Sequence, residues 1–399
     1  MFRPLVFLLL LAGQASPAAA RAPASRVQPS AAALAADARG DYAQALDMGR
    51  AEIAACKAKW GRSAACLDLI SKSALAAQSA GQYRAGEQLA RDALDIARTE
   101  LGESHIDTAR CYNIVAFMLN AQGRLADAEV LYRKALAIGR PILGDRHPDT
   151  ATGYDTLAQN LHDQSRYAEA LKLAVKGMDI RRKRLGGKDQ ALAISYDNVA
   201  MNLDALGQLA EGERYYRIAL EIRRVASGDR HPDIATSYNN LAANLGAQGR
   251  HDEAEQLNRQ ALEIERMTLG EYHPQTATSY NNLAAEIVWQ RRFAEAAPLF
   301  ARVIEIRLRT LGEDHPATID AIGALAMLEL LGLHRPAEAL PLFRLATGKT
   351  QARIVLASSE RASTDEHLRG LPFFRCHIRA AWDLARQPAQ EPARQPATP

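Results

Sequence analysis

Five amide or carboxylate side chains recur at one position of a repeating pattern and could bind an extended peptide. They are spaced 42 residues apart and are Asn113, Asp155, Asp197, Asn239 and Asn281. Asparagine and aspartate are mediocre helix formers, so their recurrence on a predicted helix needs a reason. A carboxamide donates and accepts hydrogen bonds at once, so a ladder of them could pair with a peptide backbone. The alternative is that these side chains are solvated or bond within the scaffold.

Half of the ten histidines follow the same period, a pattern that a metal-binding protein could use. They are His105, His147, His231, His273 and His315. One histidine per repeat places successive rings in successive units, without the partners of fixed geometry that a metal needs. We interpret them as turn residues that precede a helix-starting proline, and we expect no metal and no cofactor.

The adjacent Cys376 and His377 could suggest a thiol nucleophile with its base. Neighbouring residues on a helix point about 100° apart, so these two side chains cannot form a productive pair. No other cysteine–histidine grouping, serine nucleophile motif or glycine-rich phosphate loop stands out. The sequence therefore predicts that the protein is not an enzyme.

The charge pattern does not favour nucleic acid or a membrane surface as a partner. The formal net charge is +3 over 399 residues, which is close to balanced. The basic residues 181–184 and 223–224 come late in predicted helices, where they complement the helix dipole. Glutamates such as Glu213 and Glu221 interrupt them, so we expect a solvated convex surface.

Cys56 and Cys66 are the candidate pair for a disulfide. They lie near the end of one predicted helix and the start of the next, with a short turn between them. An oxidising compartment would allow the bond. The alternative is that both are small apolar packing residues, because the sequence does not fix the geometry that a bridge needs.

The first twenty residues have the pattern of a secretory signal peptide. Arg3 supplies the positive charge, residues 5–12 form an uninterrupted apolar run, and residues 18–20 are small. The apolar run is too short to span a bilayer core of about 30 Å. We therefore expect cleavage near Ala20, a periplasmic or secreted protein without stable membrane insertion, and a linker over residues 21–30.

A 42-residue repeat is the strongest pattern in the sequence. One column consists of glycines and another of alanines: Gly102, Gly144, Gly186, Gly228, Gly270 and Gly312; Ala74, Ala116, Ala158, Ala200, Ala242, Ala284 and Ala326. Stacked units of this kind bury the apolar face that one unit leaves open. The pattern predicts an all-α array over residues 31–348, with about seven helical hairpins and the best repeats over 101–312.

Each repeat divides into two helices. In residues 228–269, Pro232 can occupy the first turn of a helix, and Gly249 permits a tight turn before the second helix. Gly270 can take the left-handed conformation that ends that helix. Small residues at Ala242, Ala254 and Ala261 should let the two backbones approach closely.

The pattern degrades after Gly312, as expected of a capping unit. Gly332 and Ala339 fall one residue out of register, and Pro336 and Pro341 interrupt the pattern. Residues 349–386 form a segment outside the repeat, with a predicted helix over 373–386. Residues 387–399 are proline-rich and predict a disordered tail.

The strings HPDIATSYNNLAANLGAQGRHDEAEQLNRQALEIERMTLG and HPQTATSYNNLA resemble the tetratricopeptide repeat of kinesin light chain type, which also occurs in many bacterial proteins. The resemblance covers about residues 60–345. It implies a right-handed superhelix of antiparallel helix pairs, whose first helices line a concave groove that holds extended peptides. The peptide-binding residues that follow from it and from the column above are Asn113, Asp155, Asp197, Thr236, Asn239, Asn240, Thr278, Asn281 and Asn282.

The stripe that the resemblance assigns to peptide contact also has apolar members. Phe117, Met201 and Met327 belong to it, so the predicted groove is mixed, while Asp155 and Asp197 favour ligands with a basic or N–H-rich stretch. The sequence thus predicts a scaffold that binds a protein or an extended peptide, of unknown oligomeric state.

The alternative function is that of an accessory subunit of a separately encoded enzyme. Residues 349–386 faintly resemble the stretch that joins such arrays to a caspase-like protease domain in some bacterial proteins, although the catalytic part is absent from this sequence. In that case the C-terminal segment would dock the catalytic chain.

Overall fold

The computed structural model describes residues 26–185, 190–358, 376 and 379–380. The expected signal peptide, the tail and most of the predicted helix over 373–386 lie outside these residues. The described helices are α1 (Ala31–Ala38), α2 (Tyr42–Trp60), α3 (Leu67–Ser79), α4 (Tyr83–Leu101), α5 (Ile106–Ala121), α6 (Leu125–Leu143), α7 (Pro148–Asp163), α8 (Tyr167–Leu185), α9 (Gln190–Ala205), α10 (Leu209–Ser227), α11 (Pro232–Ala247), α12 (His251–Thr268), α13 (Pro274–Trp289), α14 (Phe293–Leu311), α15 (Pro316–Met327) and α16 (Pro336–Ser358).

The helices form antiparallel hairpins that stack in chain order. Each helix from α3 to α16 packs mainly against its two neighbours in sequence, which gives seven full-length hairpins, and the short α1 packs on α2. The predicted all-α solenoid is confirmed. None of the helices in the described ranges is both long and apolar enough to cross a bilayer.

Histidine caps start five of the first helices. His231, for example, precedes Pro232, and its Nδ1 accepts a hydrogen bond from the backbone N–H of Asp233 at 3.2 Å. The same contact recurs, at 3.1 to 3.2 Å, at His105, His147, His273 and His315. The histidines are therefore turn residues, as predicted, and each one satisfies a backbone donor that the helix start leaves open.

Alanine columns form the closest contacts inside the hairpins. Ala242, Ala254 and Ala261 are fully buried, which confirms that small side chains let the paired helices approach. Gly249 and Gly270 have positive φ angles of 79° and 90°, conformations that glycine adopts without steric cost. The repeat thus encodes both the packing face and the turns that separate the helices.

A one-residue insertion explains why Ala339 lies one residue beyond its place in the repeat, whereas Gly332 lies one residue before its place. Residues 328–332 form a π-helical turn at the end of α15, and such a turn holds one extra residue. Ala339 is fully buried after the slip, so the last hairpin keeps the core contact of the repeat. The expectation that Pro341 interrupts was wrong, because Pro341 lies inside α16.

The array curves until its first hairpins meet its last ones. The turn after α1 touches the start of α13, where the ring of His273 donates to the carbonyl of Ala38 and Gly40 packs on Pro274. One hairpin further along, Gly81 packs on His315. We call these contacts the seam. The seam forms one side of a cavity on the inner face of the superhelix.

Two features fix the N-terminal end of the array. Arg26 forms ion pairs with Asp68, at 3.0 Å, and with Asp107, so the described part of the expected linker lies against the repeats. Cys56 and Cys66 are joined by a disulfide with a Cα–Cα distance of 6.0 Å, which is usual for such bonds. Both sulfurs belong to a buried apolar cluster.

Removing this disulfide should loosen the first hairpins. A closed loop of about ten residues contributes roughly 2–3 kcal/mol in the chain-entropy account. We expect Cys56→Ser/Cys66→Ser to lower the unfolding free energy by that amount and to speed amide exchange in α2 to α4. Reductant should act on the wild type and leave the double variant unchanged; an equal effect on both would contradict the assignment.

Candidate binding cavity

The inner face of the superhelix lines a half-open cavity of about 840 Å³. Its walls are α1 and α2 on one side, then α3, α5 and α7, and the starts of α11 and α13 across the seam. Cavities of roughly 300–1,000 Å³ are typical of ligand sites. The volume suits a short peptide segment or a small molecule and is too small for a folded domain.

Apolar side chains supply much of the cavity wall. Leu34, Leu75, Phe117 and Leu269 face it from four different helices or turns, and Leu34 is 43% exposed. Phe117 was predicted as an apolar member of the groove stripe, and the structure places it in the wall. These groups would desolvate the aliphatic parts of a bound chain.

Carboxylates supply most of the charge. Asp37, Glu52, Asp163 and Asp233 line the cavity with a single lysine, Lys72. Asp163 accepts hydrogen bonds from the amides of Asn120, at 2.6 Å, and Gln159, at 3.0 Å. Glu52 accepts from the backbone N–H of Ser30. The wall therefore carries a surplus of negative charge.

Burial shifts two of the titrating groups of the wall. Burial raises the pKa of the Asp37 carboxyl, although the nearby positive charge of Lys72 opposes the shift. Burial lowers the pKa of His273, which its bond to the Ala38 carbonyl partly offsets. His273 is 7% exposed, so its part of the seam excludes much of the solvent.

The two aspartates of the predicted ladder are not available to a ligand. Asp155 is buried and paired with Arg181, which also donates to Ser195 of the next hairpin. Asp197 forms the same arrangement with Arg223, at 2.6 Å. Arg181 and Arg223 are each 5% exposed, so the expectation that they belong to a solvated surface was wrong. The alternative of bonding within the scaffold describes these residues.

Two of the predicted asparagines also donate to groups inside the array. Asn240 donates to Asp197, and Asn239 donates to the hydroxyl of Ser279 at 2.8 Å. Asn282 is buried, and the Thr278 hydroxyl donates to the carbonyl of Pro274. The remaining predicted residues are half-buried: Asn113, Thr236 and Asn281.

None of the nine predicted peptide-binding residues lines the cavity described above. Neighbouring hairpins bury part of the predicted column, as at Asp155 and Asp197. On α5 and α7 the residues that line the cavity, Phe117, Asn120 and Asp163, lie one to two turns beyond that column, and α11 and α13 reach the cavity only with their first residues.

The sequence analysis did not predict a polar network that links successive hairpins beside their internal turns. Glu129 accepts from Gln164 and Arg166 of the next hairpin and from Arg133 of its own helix. Burial alone would raise the pKa of Glu129, but these bonds lower it to about 2. Similar sets occur at three other junctions: Glu87, Gln122 and Arg124; Glu213, Gln248 and Arg250; Glu255, Gln290 and Arg292.

The network has a sequence signal of its own. Its members are 35 and 37 residues apart, and at one junction all three change together, to Leu171, Leu206 and Gln208. Substitution of a whole set indicates that its members act as one unit. The network links successive hairpins, and none of its members lines the cavity.

A buried carboxyl predicts a pH-dependent stability. Glu265 takes the place that Arg181 and Arg223 hold in earlier repeats, and burial raises its pKa to about 7, although a bond from Ser279 opposes the shift. The unfolded chain releases this proton near pH 4.3, so the unfolding free energy should fall as pH rises from about 4.5 to 7. The loss is about 3 kcal/mol.

Glu265→Gln should remove this part of the pH dependence and stabilise the protein at pH 8. Glu263→Gln, on the exposed side of the same helix, is the matched control and should follow the wild type. Urea midpoints between pH 4.5 and 8 measure the difference. Equal slopes for the wild type and Glu265→Gln would contradict the prediction.

Comparisons with known families agree with the repeat. Two family models, both described as tetratricopeptide repeat, match residues 112–183, 190–266 and 234–286, and residues 71–107 and 276–317. Together they cover more than half of the chain. The chain belongs to the tetratricopeptide repeat family.

Several solved structures are similar to this chain at low sequence identity. A Rap protein complexed with competence and sporulation factor is 13% identical with a TM-score of 0.54, over 90% of this chain and 97% of that one. The Cut9–Hcn1 hetero-tetramer of APC/C is 12% identical with a TM-score of 0.50, over 88% and 54%. The repeats of a putative kinesin light chain from Podosopora anserina are 23% identical with a TM-score of 0.44, over 51% and 95%. A search of curated proteins gave no match.

Proposed function

We propose that the protein is a binding scaffold that holds an extended polypeptide segment in the cavity inside its superhelix. The cavity carries the proposal, because it joins an apolar wall to carboxylates without arginine partners within one half-open space. Stacked repeats create concave surfaces of this kind for binding other chains. The Rap protein with the same fold was solved as a complex with competence and sporulation factor, which supports a ligand-binding role.

Filling the cavity with a large side chain tests the proposal. Ala121 lies at the end of α5 in the cavity wall, so Ala121→Trp should occupy the site. Ala126→Trp places the same side chain on the exposed face of α6 and serves as the matched control. Heptapeptides selected from a random display library on the full chain should lose at least about tenfold in affinity for Ala121→Trp.

The control should bind the selected peptides as the wild type does, and circular dichroism should be the same for all three proteins. Peptides that bind Ala121→Trp and the wild type equally would overturn the cavity as the site. A selection that returns no peptide would overturn the proposed function itself.

We also propose that the protein works outside the cytoplasm, after cleavage near Ala20. The disulfide between Cys56 and Cys66 supports this proposal, because such bonds persist in oxidising compartments. N-terminal sequencing of the exported protein is the test. An intact leader on the mature protein would contradict it.

A further inference from the structure

The cavity carboxylates lack the arginine partners that the glutamates of the hairpin junctions have. At the hairpin junctions, Glu87, Glu129, Glu213 and Glu255 each form an ion pair with an arginine of the next hairpin. Within the described ranges, no such pair with lysine or arginine is found for the cavity residues Asp37, Glu52, Asp163 and Asp233. The negative charge of the cavity is thus left for another group to balance.

Local hydrogen bonds do not cancel this charge. Asp163 is held by two neutral amides, those of Asn120 and Gln159, and Asp233 lies 3.4 Å from the Nδ1 that caps α11. Lys72 contributes one positive charge against four carboxylates. Asp163 is exposed and the Asp233 side chain is 37% exposed, so a ligand that covers them would exclude water and thereby strengthen its own attraction to these charges.

The apolar wall suits the methylene stem of a basic side chain. Lysine and arginine bury their methylene stems against apolar surface while the charged head finds a polar partner. Phe117 belongs to the same helix as Asn120, which holds the Asp163 carboxylate, and both residues line the cavity. A stem that packs on the ring would bring its charged head towards this carboxylate.

From these observations, and resting on the proposed function, we infer that the cavity selects a peptide segment carrying lysine or arginine. The segment places basic side chains against cavity carboxylates, Asp163 and Asp233 among them, and its apolar neighbours against Phe117 and Leu75. The volume of about 840 Å³ restricts the enclosed part to a few residues. Acidic segments are rejected, because they would add charge of the same sign to the site.

The composition of the selected heptapeptides is the first test. Peptides selected on the full chain should be enriched in lysine and arginine and depleted in aspartate and glutamate. Acidic or neutral peptides that still lose affinity for Ala121→Trp would overturn the inference and leave the proposed function in place. No selected peptide at all would overturn both.

A charge substitution gives the second test. For the best arginine-containing peptide, we expect Asp163→Asn/Asp233→Asn to weaken binding by at least about tenfold in fluorescence anisotropy at 50 mM salt. The same peptide with glutamine in place of arginine should bind both proteins equally. Asp229→Asn, at an exposed turn outside the cavity, is the control and should change nothing.

Two results would contradict the inference. One is an unchanged affinity of the arginine peptide for the double variant. The other is competition by spermidine that is as strong as competition by the peptide itself, because the site would then bind a free polyamine and not a peptide segment.

Discussion

Replacing Arg181 by alanine is expected to lower the unfolding free energy by about 3–5 kcal/mol, because it leaves the Asp155 carboxylate buried without its partner. Arg181 joins two helices of one hairpin to Ser195 of the next, so the loss should separate neighbouring repeats. Urea denaturation at pH 7, followed by circular dichroism, measures the effect.

The adjacent arginine provides the matched control. Arg182 is 57% exposed and pairs with Asp179 on its own helix, so Arg182→Ala should cost less than about 1 kcal/mol. Arg181→Met/Asp155→Leu removes both charges and should recover most of the lost stability. A similar cost for Arg181→Ala and Arg182→Ala would show that the buried pair does not stabilise the array.

Gly40→Ala is expected to open the seam. A Cβ at Gly40 would lie 2.8 Å from Cγ of Pro274 and still closer to its Cδ, and the proline ring at the start of α13 cannot move aside easily. Overpacking of this kind costs about 1–3 kcal/mol. We therefore expect the contact to break and the radius of gyration in solution scattering to rise.

Gly249→Ala is the control that separates the effect of the contact with Pro274 from the effect of backbone strain. Gly40 and Gly249 have nearly equal φ angles, 78° and 79°, so alanine costs about 1–2 kcal/mol in the left-handed region at either site. A Cβ at Gly249 meets no atom within 4 Å, and the control should keep the wild-type radius. The prediction fails if both variants keep that radius.

The repeat could be predicted from the sequence because each column corresponds to one packing contact. The alanines at 242, 254 and 261 indicate close helix pairs directly, and Pro232 and Gly249 mark helix boundaries. These signals are local to one hairpin. Stacking identical hairpins then gives the solenoid without further information.

The buried ion pairs were missed because charge alone suggests solvent exposure. Arg181 and Arg223 stand in basic runs, and their partners are separated from them by 26 residues in both repeats. That fixed separation was a usable signal, since Asp155 and Asp197 belong to the same column. In the next repeat Asn239 and Glu265 replace the pair, which obscures the pattern.

The cavity could not be predicted because closure depends on the small rotation that each hairpin adds. The residue types in the columns do not determine this rotation. The rotations of several successive hairpins add up before the two ends of the array meet. The residues that form the seam, Gly40 with Pro274 and Gly81 with His315, have the ordinary types of turn residues. Their contact is visible only in three dimensions.

The most direct measurement of the central claim is site-specific photo-crosslinking of a selected peptide to the full chain. Benzoylphenylalanine at Phe117 faces the cavity, and the same group at Val130, which is 64% exposed on α6, faces solvent. We expect the peptide to crosslink from Phe117 and not from Val130. Crosslinking from Val130, with none from Phe117, would contradict the assignment of the cavity as the binding site.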